Sequence, residues 1–187
     1  EGRLIYRYDG QGRLAEIGRG DGRATRYEYD TQGNLVHVID RAMSASSTEE
    51  AAVTYRYDRH GRKRLTIYPN KTLAFQSYDD DAPDGNGWSA GFLREILHLS
   101  PNTTHPHTGA VTEYDVLLRL TYTRDSSGLI TSIDEVGTDN HDISWTYAYY
   151  YLKRLLSAER RNNVNSTSLT YSYAHDRSGN RLSKEVG

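Results

Sequence analysis

At 187 residues and a formal charge of -2, with Lys+Arg 23 against Asp+Glu 25, the chain is long enough for one sizeable domain and too evenly charged to track a phosphate backbone. Nucleic acid is set aside as a partner on that ground, the absence of cysteine excludes disulfides and thiolate metal sites, and no run of about 18 apolar residues offers a membrane span. Tyr occurs 16 times against 2 Phe, 2 Trp and 1 Met, so the material available for burial is amphipathic and its hydroxyls need a polar partner.

The first predicted element is a hairpin, Tyr6-Arg7-Tyr8-Asp9-Gly10-Gln11-Gly12-Arg13-Leu14, followed by a turn through Gly18, Gly20, Asp21 and Gly22. A second copy, Tyr27-Glu28-Tyr29-Asp30-Thr31-Gln32-Gly33-Asn34-Leu35, places its aspartate 21 positions after Asp9. Two tyrosines separated by one residue share a face of an extended strand. Asp30 to Gly33 reads as a type I turn, with Asp first to bond nearby amides and Gly fourth to accept positive φ, and Leu35, Val36 and Val38 open the return strand. The third copy, Tyr55-Arg56-Tyr57-Asp58-Arg59-His60-Gly61-Arg62, comes 28 positions after the second, the extra residues falling in the polar stretch Ala42 to Glu50.

A fourth copy is worn: Asp79 lies 21 positions after Asp58, but Gln76 stands for the first tyrosine and no glycine follows at the turn. The pattern lapses from Asp80 to Gly109. There Trp88, Phe92, Leu93, Ile96 and Leu97 fit a helical stripe while Leu93, Leu97 and Leu99 fit a strand face, and the strands expected on both sides favour a strand. Tyr114, Val116, Leu118, Leu120 and Tyr122 then alternate as one long half-buried strand. Tyr122-Thr123-Arg124-Asp125-Ser126-Ser127-Gly128 restores the turn with Arg124 in the second tyrosine's place. Tyr147-Ala148-Tyr149-Tyr150-Tyr151-Leu152-Lys153 keeps the strand and loses both turn residues, which predicts a looser reversal. Tyr173-Ala174-His175-Asp176-Arg177-Ser178-Gly179 closes the series with His175 as its second ring. The expected plan is therefore YD-type repeats over 1–79, an irregular insertion or degenerate repeat over 80–110, and repeats again over 111–187, an all-β fold of antiparallel hairpins.

In series, Tyr-x-Tyr-Asp-x-x-Gly-Arg/Asn-Leu resembles the YD repeat of the Rhs family, shared with insecticidal toxin complex shells, bacterial wall-associated proteins and teneurins. The resemblance rests on roughly six or seven units and covers most of the chain. It implies a spiralling sheet that is part of a hollow shell, a structural role in enclosing or presenting a polypeptide toxin, and a secreted or cell-surface bacterial setting. Its partners would be the remainder of its own shell and the enclosed polypeptide. Gly2-Arg3-Leu4 looks like the tail of an earlier unit, so the chain is expected to be a fragment of a larger shell. None of Pro69, Pro83, Pro101 or Pro106 follows an aspartate, so the family's Asp-Pro self-cleavage motif is not carried over.

Each chemical alternative competes with a structural one. Asp9, Asp30, Asp58, Asp125 and Asp176 stand where turns need them, with Gly12, Gly33, Gly61, Gly128 and Gly179 three places on, and this accounts for them without catalysis. Asp79, Asp80, Asp81 and Asp84 miss the ligand spacing of a calcium loop, because Ala82 and Pro83 interrupt it. His98, His105 and His107 are a zinc alternative to a solvated loop, without a carboxylate or thiolate at diagnostic spacing. No Gly-x-Ser-x-Gly elbow or phosphate cradle is present. No catalytic residue, cofactor or metal is assigned. The tyrosines, flanked by Arg7, Arg26 and Arg56, read as ladders of ring on ring, the alternative being an adhesive or glycan-stacking surface. Open strand edges predict self-association of an isolated fragment.

Overall fold

The computed structural model describes residues 3–41, 50–81, 91–104 and 111–187. Its strands are β1 (Leu4–Tyr8), β2 (Leu14–Arg19), β3 (Ala24–Tyr29), β4 (Leu35–Arg41), β5 (Glu50–Tyr57), β6 (Lys63–Ile67), β7 (Leu73–Tyr78), β8 (Leu93–Thr104), β9 (Val111–Arg124), β10 (Ile130–Gly137), β11 (Asp142–Tyr149), β12 (Leu155–Asn162), β13 (Thr167–His175) and β14 (Arg181–Val186). A 3-10 turn occupies Asp79–Asp81. Strand order in the sheet follows chain order from β1 to β14, and the ladders are antiparallel. The fold is the all-β, hairpin-by-hairpin sheet that alternating tyrosines and Asp-to-Gly turns dictate.

One compact unit comprises Glu1–Phe75 with Ser100–Glu113. Here the tyrosine face carries Tyr6 opposite Ile17, Tyr27 opposite Val38 and Tyr55 opposite Thr66. The other face is charged: Glu16 in β2 lies between Arg7 of β1 and Arg26 of β3 and pairs with both. The Arg26 hydrogen bond, against a smaller opposing effect of burial, holds the Glu16 carboxyl below its ordinary range, with Arg7 adding to it.

The second unit comprises Gln76–Leu99 with Tyr114–Gly187. Tyr122, Ile133, Trp145, Arg160 and Leu169 form one cross-strand row over β9 to β13. Trp145 lies near-parallel to Tyr147 and Tyr171, with centroids 6.3 and 6.2 Å away, and its indole N–H donates to Glu135 at 3.1 Å. β9 is half-buried only from Leu118 onward; Tyr114 and Val116 are exposed, contrary to the even burial expected of the whole strand. The cause is length: β10 ends at Gly137, opposite Leu118, so the earlier residues of β9 run past it. The stretch 80–110, read as a lapse, contains the twelve-residue strand β8.

Among the described residues only Ala74, Ile143, Ala158 and Thr66 are buried, and no helix or second sheet covers either unit. Neither unit therefore has the two-layer core on which most domains rest. Its stability has to come from contacts between successive strands.

Candidate functional site: a tyrosine clasp between hairpins

Each Asp-to-Gly stretch builds the same turn. Gly33 N–H donates to Asp30 O at 3.1 Å and Asp30 N–H to Asn34 O at 2.9 Å, with Gly33 at φ 91°, which makes a type I turn closed by a left-handed residue. Gly12, Gly61, Gly128 and Gly179 repeat both bonds with Asp9, Asp58, Asp125 and Asp176. The aspartate side chain locks the loop from within: Asp58 Oδ1 accepts the amides of His60 at 2.8 Å and Arg62 at 2.9 Å, while Oδ2 accepts Arg62 Nε at 2.7 Å. Asp9 binds Gln11, Arg13 and the Arg13 guanidinium in the same way, and Asp30 and Asp176 use Asn34 and Asn180 in place of arginine. Burial works to raise the Asp58 pKa, but the bonds from Arg62 and His60 outweigh it and bring the group to about 2. Asp30 and Asp176 are also lowered, chiefly by their asparagine partners, and Asp9 by the Arg13 amide.

A feature without any sequence signature follows each turn. The register slips by one residue just before the aspartate, as where Glu28 faces His37 but Tyr29 faces Leu35, leaving Val36 as an extra residue in the return strand. The same slip makes Ala15, Arg64, Thr131, Leu156 and Leu182 the extra residue in β2, β6, β10, β12 and β14. A bulge of this kind interrupts the ladder and leaves backbone groups to be satisfied elsewhere.

The second tyrosine of the next hairpin satisfies them. Tyr29 hydroxyl donates to Leu14 O at 2.9 Å, Tyr57 to Leu35 O at 2.8 Å and Tyr149 to Ile130 O at 2.8 Å, each acceptor being the residue just before the bulge. Burial raises the pKa of Tyr57 and Tyr149, with a further push from Asp125 on Tyr149. The expected ring-on-ring contact between neighbouring hairpins is present at Trp145 and Tyr171, with centroids 6.2 Å apart. Tyr29, Tyr57 and Tyr149 reach the preceding hairpin through the hydroxyl.

A second contact couples the turns themselves. The residue following each turn glycine lies over the turn glycine of the next hairpin: a Cβ built on Gly33 would sit 3.9 Å from Arg13, on Gly61 3.8 Å from Asn34, and on Gly179 2.9 Å from Arg154. Arg13 also lies 4.4 Å over the Tyr29 ring, and Arg154 donates to Asp176 O at 3.0 Å.

Where the repeat departs in sequence, the geometry is kept by other chemistry. Asp79 N–H donates to Phe92 O at 3.0 Å, the bond that closes the other turns, although Phe92 lies thirteen positions on and Asn34 only four beyond Asp30. The worn fourth unit thus keeps the closing bond of the other turns between residues further apart in sequence. Arg124, in the second tyrosine's place, donates to Leu93 O, and its guanidinium stands 5.2 Å from the Phe92 ring. Phe92 in turn covers Gly128, where a Cβ would meet its ring at 2.9 Å. Cation and ring have exchanged positions relative to Arg13 and Tyr29. A cleft of about 680 Å³ beside them is lined by Asp79, Phe92, Arg94, Arg124 and Ser126, and of its two arginines Arg124 is already committed to the clasp. The reversal at Tyr150 is not looser: Lys153 N–H donates to Tyr150 O at 2.9 Å, Tyr150 N–H to Arg154 O at 2.8 Å, and Lys153 adopts φ 59°. Bulge and strand pairing impose the left-handed residue whether or not it is glycine.

The remaining predicted positions fall at the ends of the pattern. Tyr6 and Tyr8 lie in β1, where no preceding strand receives them, and Tyr8 is 64 % exposed. Tyr27 and Tyr55, the first tyrosines of their pairs, lie in β3 and β5 without a clasp to a preceding strand. His175 takes the second tyrosine's place in β13, with Nδ1 buried and unpartnered. His105, His107 and Asp84 to Trp88 lie outside the described residues, and among those described no group of His, Asp and Glu converges as a metal site.

A sheet of hairpins in which Tyr29, Tyr57 and Tyr149 bond through their hydroxyls to the bulge before them has the plan of a YD-repeat element. The chain is similar to the Rhs/YD-repeat family: residues 8–42 match the family model described as RHS Repeat. It is 26% identical over 182 residues to the Toxin protein Tse5 of Pseudomonas aeruginosa, covering 97% of this chain and 13% of that protein. Among solved structures it resembles the TcdB2-TccC3-Cdc42 crystal structure, with a TM-score of 0.72 and 20% identity over 98% of this chain and 9% of that one. The Photorhabdus luminescens Tc holotoxin pore gives a TM-score of 0.71 at 21% identity, again over 98% of this chain and 9% of the other. At these identities the structures share a fold with the chain, which spans about a tenth of the length of the relatives it matches.

Proposed function

We propose that the chain is a wall segment of an Rhs-type shell that encloses or presents a polypeptide toxin, exported from the bacterium that makes it. The carrying observation is the directional clasp: Tyr29, Tyr57 and Tyr149 each bond to the hairpin before their own, so each of these hairpins completes its predecessor. Such a unit stabilises an extended wall and supplies no catalytic step; the role is structural. The outer edge of β1, with Tyr6 and Tyr8 exposed in these residues, is the place for adjoining wall. In isolation that edge is expected to pair with a second copy. The named toxin relatives agree with a container, whereas engagement of the clasping hydroxyls by backbone carbonyls gives no support to a glycan surface.

Protease protection tests the proposal. In the intact protein, a polypeptide enclosed by the wall should survive trypsin while the wall stands, and become cleavable when Tyr29, Tyr57 and Tyr149 are all changed to Phe and the protein is gently warmed. Cleavage of every other part of the intact native protein at the rate seen in denaturant would refute enclosure.

A further inference from the structure

Among the described residues, the tips of the Asp-to-Gly hairpins carry no large apolar side chain. Gly10-Gln11, Thr31-Gln32, Arg59-His60, Ser126-Ser127 and Arg177-Ser178 occupy the two central turn positions of the regular hairpins. At the β11–β12 hairpin those positions are Tyr151 and Leu152, 90 % and 53 % exposed, and the turn begins with Tyr150, itself 48 % exposed. A tyrosine offers roughly 150–250 Å² for burial, so this tip carries an apolar patch of the size that marks interaction sites.

The tip is also rigid. Its two closing backbone bonds, 2.8 and 2.9 Å, match those of the glycine turns, and Lys153 is held at φ 59°. A left-handed lysine is unfavourable relative to the right-handed region, so the turn chemistry here does not favour the fold. An exposed aromatic pair on a preorganised turn is the composition of a binding anchor, which loses little freedom when it is covered. Its flanks are basic: Lys153 and Arg154 follow the tip, and Arg177 occupies the tip of the next hairpin.

We infer that Tyr150, Tyr151 and Leu152 form a knob that inserts into an apolar, acid-rimmed pocket of a protein element lying beyond the strand ends. Hairpin tips extend along the strands, so this partner meets the sheet at its rim and not on either face, where an enclosed polypeptide would lie. The contact is separate from the clasp and from enclosure. Charge selects the partner: a rim of Asp and Glu complements Lys153, Arg154 and Arg177.

The test is site-specific photo-cross-linking in the intact protein, with a benzophenone amino acid at position 151 and, as a control, at Thr31, which holds the equivalent place on a polar turn. The expected result is a cross-linked peptide from outside these 187 residues, containing apolar residues flanked by Asp or Glu, at a yield at least ten-fold above the Thr31 control. Leu152→Ser should lower that yield, and Lys153→Gly, which keeps the turn and removes one of the three cations, should lower it less; no change with Leu152→Ser would overturn the inference. Cross-links confined to these residues, cross-links to lipid, or a yield equal to that at Thr31 would overturn the inference.

Discussion

Replacing Tyr57 by Phe removes one oxygen and tests the clasp directly. The lost hydroxyl donates to Leu35 O at 2.8 Å, beside the bulge at Val36. A hydrogen bond of this kind contributes about 0.5–1.5 kcal/mol net, and a buried carbonyl left without a donor costs about 1–3 kcal/mol. Both groups are half-buried, so water recovers part of the second quantity, and the expected loss is about 1–2 kcal/mol. For a chain of this length that is a fall in Tm of roughly 2–8 °C. Tyr149→Phe should behave alike, since its bond to Ile130 O has the same length. Tyr27→Phe is the internal control: it is two residues from the clasping Tyr29 on the same strand and its hydroxyl makes no hydrogen bond to the described residues, so its change should stay within about 0.5 kcal/mol. Urea denaturation followed by far-ultraviolet circular dichroism reads all three, with unchanged m-values showing that the same surface unfolds. Equal losses in Tyr57→Phe and Tyr27→Phe would show that the tyrosines act through ring burial alone, and the clasp would have no energetic role.

Lys153→Gly should stabilise by about 0.5–1 kcal/mol, because relief of the left-handed strain exceeds glycine's extra entropy in the unfolded chain; a loss of stability in the same urea titration would contradict the assigned turn. Gly12→Ala and Gly128→Ala share a left-handed backbone, at φ 79° and 82°, but a Cβ at Gly12 meets nothing within 4 Å while one at Gly128 meets Phe92 at 2.9 Å. The Gly128 variant should therefore lose about 1–3 kcal/mol more, and Phe92→Ala should remove most of that difference in a double-mutant cycle. Acid should weaken the fold in a defined window. Asp9, Asp30, Asp58 and Asp176 have folded pKa values below the ordinary 3.8, Asp58 near 2, so their contribution is complete above about pH 4 and is lost as pH falls toward 2. A urea midpoint that stays flat between pH 5 and 2 would refute this. Tyr57 and Tyr149 act at the other end, since raised pKa values mean that stability falls once pH exceeds about 10.

The strand and turn plan was legible because two local rules carry it: alternate tyrosines mark a face, and Asp with Gly three places on marks a reversal. Each rule acts within a few residues and leaves a composition behind. The bulge does not. Ala15, Val36, Arg64, Thr131, Leu156 and Leu182 share the same place in their hairpins and no common chemistry, since that place is set by backbone pairing. With the bulge hidden, the acceptor of the tyrosine hydroxyl was hidden too, and ring ladders were the natural expectation. The departures misled for a related reason. Lys153 looked like a lost turn, although hairpin geometry holds any residue there at positive φ, and Arg124 looked like a lost tyrosine, although a guanidinium also donates to a carbonyl. The greater separation of Asp79 and Phe92 in sequence broke the spacing on which the repeat was counted, while the closing bond between them remained.

The clasp also explains why the aspartate and the tyrosine travel together. Asp9 fixes the Arg13 guanidinium at 2.7 Å, Arg13 lies over the Tyr29 ring at 4.4 Å, and Tyr29 bonds to Leu14 O, the residue after that arginine. The turn of one hairpin thereby orients the ring of the next, which closes the bulge that follows the same turn. Each unit is incomplete until its successor is added, and stability accrues between neighbours as in other repeat arrays, without a central core. Growth by this rule has a direction: a hairpin is finished by the one that follows it in the chain, so a wall of any length leaves unclasped tyrosines at its first strand and an unsatisfied bulge at its last.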